Sequence, residues 1–84
     1  MAKVEGEAYV VHTEWGGEAS VWAATSDDVP GLVTEGATLE LLVEKLRVMV
    51  PEMLELNGVL PPEQAAAAPF RLLAERLEGP RALG

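Results

Sequence analysis

The side chains that could do chemistry in this sequence are few, and each also has a structural explanation. Asp27-Asp28 is the densest acidic pair. Adjacent side chains on extended backbone point in opposite directions, so the two carboxylates are poorly placed to bind one metal ion. Aspartate is also common in turns, where its carboxylate accepts a hydrogen bond from a nearby backbone N–H. We therefore expect Asp27 and Asp28 to hold a turn, and we predict no metal site.

His12 is the only histidine, and the sequence has no cysteine. His12 follows Val10 in an alternating segment, which predicts a partly buried structural side chain rather than a general base. Ser20 and Ser26 have no evident partners for a Ser-His-Asp arrangement. We predict a protein without catalytic residues and without a cofactor. The lack of cysteine favours a reducing compartment, and we expect the protein to be cytoplasmic.

Trp15 and Trp22 could stack on nucleobases, but the charge of the chain opposes that function. Fourteen acidic residues face six basic ones, for a net charge of −8. Such a chain repels a phosphate backbone, so we expect the tryptophans to pack in the core or in a protein interface, and Trp22 is a candidate interface residue. Seven of the acids and one base, Lys3, fall within residues 1–36. This excess indicates either a basic partner protein or simply solubility.

Alternating apolar residues predict strands at 8–15 and 19–25, joined by a tight turn at Gly16-Gly17 in which paired glycines would adopt positive φ. The second strand carries apolar side chains on both faces, which indicates self-association as a homodimer or higher oligomer. Val29-Pro30-Gly31 is typical of a turn, because proline restricts φ and glycine accepts positive φ. A short strand at 32–35 follows.

A helix is predicted over residues 39–56, with Thr38 as the N-cap. Its apolar residues recur at helical spacing, which predicts a face buried against the sheet. The residues expected to be buried on this face are Leu42, Leu46, Met49 and Met53. Pro51 lies inside the helix and predicts a kink. Leu41 and Val48 fall on the opposite side, where they are candidate interface residues.

The segment after Gly58 is less regular. A short helical turn at 62–68 is expected, and residues 70–77 fit either a strand or a short helix. At 84 residues the chain is one small domain, and none of its segments is apolar enough to span a membrane. One Asn, one Gln and no Cys favour a heat-adapted source.

The run from Ser26 to Glu40, SDDVPGLVTEGATLE, resembles the central signature of HicB-like antitoxin domains. The match extends over about residues 8–78 and is similar to a small stand-alone branch of that family. The resemblance implies an α+β, two-layer β-β-β-α-β fold, with one long kinked helix on a small antiparallel sheet. It also favours a strand at 70–77. We assign a single domain to residues 1–78 and a C-terminal tail to 79–84.

The resemblance implies a non-catalytic protein-interaction module that binds a small basic RNase toxin of the HicA type. Leu32 stands where the family typically has Cys, and Ala37 where it has an acidic residue. The DNA-binding segment usual in the family does not follow residue 77, so we expect no direct DNA binding. The alternative interpretation is a structural homo-oligomer without a toxin partner.

Overall fold

The computed structural model of the protein describes residues 8–77 and 79–80. Six elements follow one another: β1 (Tyr9–Gly16), β2 (Val21–Thr25), β3 (Val33–Gly36), α1 (Leu39–Leu56), α2 (Pro62–Ala66) and β4 (Phe70–Glu75). The α+β class and the strand-strand-strand-helix-strand order are confirmed. The segment that fitted either a strand or a helix is a strand, β4. The short helical turn expected at 62–68 is α2.

The sheet is mixed rather than antiparallel, which corrects the predicted sheet type. Its strand order is β3-β2-β1-β4, and β4 runs parallel to β1. Since β1 and β3 are both antiparallel to β2, they run in the same direction. Helix α1 then returns the chain to the end of the sheet where β3 began, so the next strand starts in that same direction. A helical crossover of this kind is how parallel strands are joined.

The turn between β1 and β2 differs from the predicted glycine turn. Gly16 still pairs with Val21 inside the sheet, so the loop comprises residues 17–20. The Ser20 N–H donates to the Gly16 carbonyl at 2.7 Å. Positive φ occurs at Ser20, at 55°, and at neither Gly16 nor Gly17. Pairing therefore continues through Gly16, and the loop closes on serine instead of glycine.

The core lies between α1 and one face of the sheet. The fully buried residues of α1 are Leu42, Leu46, Val50 and Leu54, which follow one i, i+4 row. Met49 and Met53, predicted to be buried, are only partly covered and pack at the margin of this row. The sheet contributes Tyr9, Val11 and Ala24, and the turn before β3 contributes Val29 and Leu32. Among the described residues, no helix is both long and apolar enough to cross a membrane.

Candidate functional site

The turn after β2 is held by two side chains of the Ser26-to-Glu40 segment. Ser26 Oγ accepts hydrogen bonds from the N–H groups of Asp28 and Val29, both at 3.1 Å, and donates to the Val10 carbonyl. The Asp28 carboxylate accepts from the Val10 N–H at 2.7 Å. Asp27, by contrast, is exposed. Ser26 and Asp28 thus attach the turn to the beginning of β1, a contact between residues 18 positions apart.

The same turn is attached to the far end of α1. Gly31 has φ 78°, and a Cβ at this position would lie 2.8 Å from the terminal methyl of Met53. The Asn57 side-chain amide donates to the Pro30 carbonyl at 3.1 Å and to the Met53 carbonyl at 3.0 Å. The motif residues therefore fix the path of the chain from β2 to α1.

Thr38 begins α1. Its hydroxyl accepts a hydrogen bond from the Leu41 N–H at 3.1 Å, and its backbone is extended, as at a helix N-cap. Gly36, two residues earlier, is buried so closely against Leu42 that an added Cβ would lie 2.9 Å from the Leu42 nitrogen. The end of β3 and the first turn of α1 are therefore in direct contact.

The three candidate interface residues lie in two separate places. Trp22 is half-buried on the side of the sheet that faces α1, where its ring centroid is 5.4 Å from that of Trp15. The Arg76 guanidinium lies 4.9 Å from the Trp15 centroid, in cation–π contact. Leu41 and Val48 are 54% and 59% exposed on α1. Helical periodicity places both opposite the buried row of α1, so they do not share a surface with Trp22.

The other face of the sheet, which we call the open face, is not covered by any described element. The strand registers assign to it Val10, His12, Glu14, Val21, Ala23, Thr25, Val33, Glu35, Arg71, Leu73 and Glu75. Val33 is 72% exposed and Leu73 is 40% exposed. His12, expected to be partly buried, is exposed here because its strand position faces away from α1.

The registers align the open face into two rows that cross all four strands. In one row Glu35 pairs with Ala23, Ala23 with Glu14, and Glu14 with Glu75. The neighbouring row holds Val33, Thr25, His12 and Leu73 in the same strand order. An acidic row therefore lies beside a mixed row, in which Val33 and Leu73 stand at the two ends and Thr25 and His12 lie between them. Within the described residues, the three carboxylates of the acidic row have no hydrogen-bond or ion-pair partner.

A shallow depression lies on the open face where the two rows meet. It is lined by His12, Thr13, Glu14, Ala23, Thr25 and Glu75, with the small Ala23 side chain leaving room between longer neighbours. In the described ranges 8–77 and 79–80, no group of three His, Cys, Asp or Glu side chains is arranged to hold a metal ion. The surface can contact a partner through apolar groups and carboxylates.

The sequence analysis did not identify the glutamates of the open face as functional residues. The alternating pattern of β2 indicated only that this strand has two apolar faces. Alternate positions 21, 23 and 25 of β2 are apolar or neutral, and the second face of that strand is also apolar. Glu14, Glu35 and Glu75 are far apart in the sequence and become neighbours only through strand pairing. The acidic row could therefore not be identified before the register was known.

Comparison with known proteins gives two matches. The family model for a domain of unknown function, DUF1902, matches residues 8–83. Among solved structures, the chain is similar to the crystal structure of the hypothetical protein TTHA1013 from the extremely thermophilic bacterium Thermus thermophilus. The identity is 49%, the TM-score is 0.66, and the match covers 90% of this chain and 100% of that chain. Curated proteins give no match.

Proposed function

The chain belongs to the DUF1902 family, and from this premise we propose that it is a non-catalytic protein-interaction module that binds a small basic protein through its open face. The partner class follows from the resemblance of the Ser26-to-Glu40 segment to HicB-type antitoxins, which implies an RNase toxin of the HicA type. The observation that carries the proposal is the open face, on which the acidic row lies among exposed aliphatic side chains.

The exposed aliphatic side chains of the open face support a protein partner rather than a purely solvated surface. In a two-layer domain the uncovered face of the sheet is normally polar. Here Val33, Ala23 and Leu73 are all exposed on that face. They add apolar contact area among the polar residues of the face, as at protein–protein contact sites. A partner that covers the open face would supply the third layer that the fold lacks.

The acidic row supports a basic partner. Glu14 and Glu75 are direct neighbours on parallel strands, and Glu35 lies two strands from Glu14. The Lys45 ammonium donates a hydrogen bond to the Glu35 backbone carbonyl at 2.6 Å, and not to the Glu35 carboxylate. Lysine or arginine side chains of a partner would therefore meet carboxylates that have no ion-pair partner among residues 8–77 and 79–80. Such complementarity accelerates association and excludes acidic partners.

The contacts of the polar side chains support a role without catalysis. Ser26 and Asp28 bind the backbone of β1, and Thr13 donates to the Leu73 carbonyl at 3.0 Å. These groups are occupied in holding the sheet and its turn together. The carboxylates of the acidic row lie on an exposed face, where they remain solvated and available to a partner.

The first experiment tests for the partner itself. The chain is co-expressed with the product of a neighbouring gene that encodes a small basic protein, and growth and co-purification are measured. We expect the basic protein to be toxic alone, to be neutralised by this chain, and to purify with it. If no such neighbour exists, or if it is neither toxic nor bound, the antitoxin proposal fails. The alternative, a structural homo-oligomer, then takes its place.

A second experiment locates the contact. The variant Glu14→Lys/Glu35→Lys reverses two charges of the acidic row and should abolish co-purification. The matched control, Glu52→Lys/Glu55→Lys, makes the same change on exposed positions of α1. The association rate of the unmodified chain should fall as salt rises, because the attraction is long-range. Loss of binding in the control alone would move the contact to the helix, beside Leu41 and Val48.

A further inference from the structure

The strand β4 forms one edge of the sheet, and its outer side has no described neighbour. It pairs only with β1, and six residues, Phe70–Glu75, run along the edge. The opposite edge, β3, is shorter, with four residues, and Lys45 already binds its Glu35 carbonyl. Short length and charged side chains, lysine above all, protect an edge strand against pairing with another chain. β4 is the longer edge, and its charged residues Arg71 and Glu75 have opposite signs, so they can attract rather than repel a second copy.

The backbone of β4 determines which groups are available for pairing. Thr13 Oγ1 donates to the Leu73 carbonyl at 3.0 Å, so this carbonyl faces β1. Because backbone groups of successive strand residues point to opposite sides, the N–H and C=O groups of Leu72 and Ala74 face outward. They can form hydrogen bonds with the same groups of another strand.

The side chains of β4 are self-complementary in one register. A two-fold axis perpendicular to the sheet keeps the open faces of two copies on the same side. A residue on the open face of one β4 therefore pairs only with an open-face residue of the other β4. If Leu73 pairs with Leu73 of the second copy, Arg71 of each copy lies opposite Glu75 of the other. The interface then contains two oppositely charged pairs. Shifting the pairing to centre on Leu72 or on Ala74 removes both oppositely charged pairs. In the Leu73-centred register, the outward groups of Leu72 meet those of Ala74.

The charges on the open face favour the same arrangement. Glu14 and Glu75 are neighbours of like charge on β1 and β4, which is unfavourable. Neither has a cationic partner among the described residues. In the Leu73-centred pairing, Arg71 of the second copy lies directly beside Glu75. The contact between Arg71 and Glu75 of different copies would thus pair two exposed charges. It would also offset the repulsion between Glu14 and Glu75 within each sheet.

We propose that two copies of this chain associate by antiparallel pairing of their β4 edges, centred on Leu73, to form a continuous eight-stranded sheet. The open faces of the two copies lie on the same side of this sheet. Glu75 takes part in the pairing, whereas the acidic positions Glu14 and Glu35 stay uncovered and available to the proposed basic partner.

Charge reversal tests the register. Light scattering at micromolar concentration should give twice the chain mass of 9.0 kDa for the unmodified protein. Arg71→Glu places two carboxylates opposite each other, and Glu75→Arg places two guanidinium groups opposite each other, so each variant should be monomeric. The combined variant Arg71→Glu/Glu75→Arg restores opposite charges and should be a dimer again. An equimolar mixture of the two single variants should form a heterodimer.

Two controls keep the result interpretable. Glu63→Arg makes the same charge change at an exposed site on α2 and should remain dimeric. Circular dichroism of every variant should match that of the unmodified chain, which shows that loss of association is not loss of folding. A monomeric unmodified protein would overturn the proposal. So would folded single variants that stay dimeric, or a folded combined variant that stays monomeric.

Discussion

Single residues around the turn that precedes β3 determine how the two layers are joined. Ser26 and Asp28 bind the backbone at Val10, and Asn57 binds the Pro30 carbonyl from the end of α1. The first two contacts join the turn to β1, and the third joins it to the end of α1. The turn therefore acts as a structural junction between sheet and helix, and substitutions there should affect stability before they affect binding.

The first prediction concerns Gly31. Gly31→Ala should lower the free energy of unfolding by about 1–3 kcal/mol, because a side chain disfavours its φ of 78° and its Cβ would meet Met53 at 2.8 Å. Urea denaturation measures the loss. The control is Gly17→Ala, whose Cβ would be 3.9 Å from the nearest atom, Trp15 Nε1, and which should be nearly neutral. Equal losses in both variants would contradict the strain argument.

The second prediction concerns Leu46, which is fully buried in α1. Leu46→Ala should cost about 2–5 kcal/mol, the usual range for truncating a buried leucine, because a cavity remains. Leu41→Ala makes the same substitution at a position that is 54% exposed, where a change within about 0.5 kcal/mol is expected. A loss below about 0.5 kcal/mol for Leu46→Ala would place Leu46 outside the core.

At the scale of elements, α1 is a single helix although a proline lies inside it. It begins at the Thr38 cap and continues through Pro51 to Leu56. A proline has no N–H, so the Arg47 carbonyl lacks its usual helical donor. The buried row remains in phase on both sides of Pro51, with Val50 and Leu54 both fully buried. Packing against the sheet therefore holds together a helix that local propensity would interrupt.

The third prediction concerns Pro51, whose tendency to interrupt a helix is opposed by the packing of α1 against the sheet. Pro51→Ala should stabilise the protein by about 1–3 kcal/mol, because it restores a backbone donor and removes the clash with the preceding turn. Thermal and urea unfolding both measure the change. Destabilisation instead would mean that Pro51 itself is required to seat Leu54 in the core.

At the scale of the whole molecule, the fold has two layers, and two of the surfaces without a described neighbour are proposed contact sites. One is the open face, and the other is the outer edge of β4. They differ in chemistry, since the open face presents the acidic row while the β4 edge presents a self-complementary strand. The partners that we propose for them differ accordingly, a basic protein for the first and a second copy for the second.

The fourth prediction tests this assignment through thermal stability. If the β4 edges associate, Tm should rise with protein concentration, because mass action favours the folded dimer. A tenfold increase contributes about 1.4 kcal/mol per dimer, enough to raise Tm by several degrees in a domain of this size. The Tm of Glu75→Arg should be independent of concentration. A concentration-independent Tm for the unmodified chain would contradict edge association.

The sequence by itself determined the local elements and their caps. The 3.6-residue period predicted α1 over 39–56, and the structure has it at Leu39–Leu56. Thr38 and Val29-Pro30-Gly31 were readable because capping and turn preferences depend on a few neighbouring residues. Period alone could not separate strand from helix at residues 70–77, since both patterns fit so short a segment. The resemblance to HicB-like domains decided for the strand.

Only the tertiary structure decided the direction of β4, the covered face of the sheet and the acidic row. Alternation shows that β2 has two faces but not which one α1 covers, because that depends on packing between distant segments. Trp22 proved to face the helix, and His12 the solvent. Glu14, Glu35 and Glu75 meet through strand register, and a shift of one residue would send each to the other face. The preference for a cap, a turn or a helix depends on a few neighbouring residues. Strand register and the choice of the covered face depend instead on the packing free energy of the whole core.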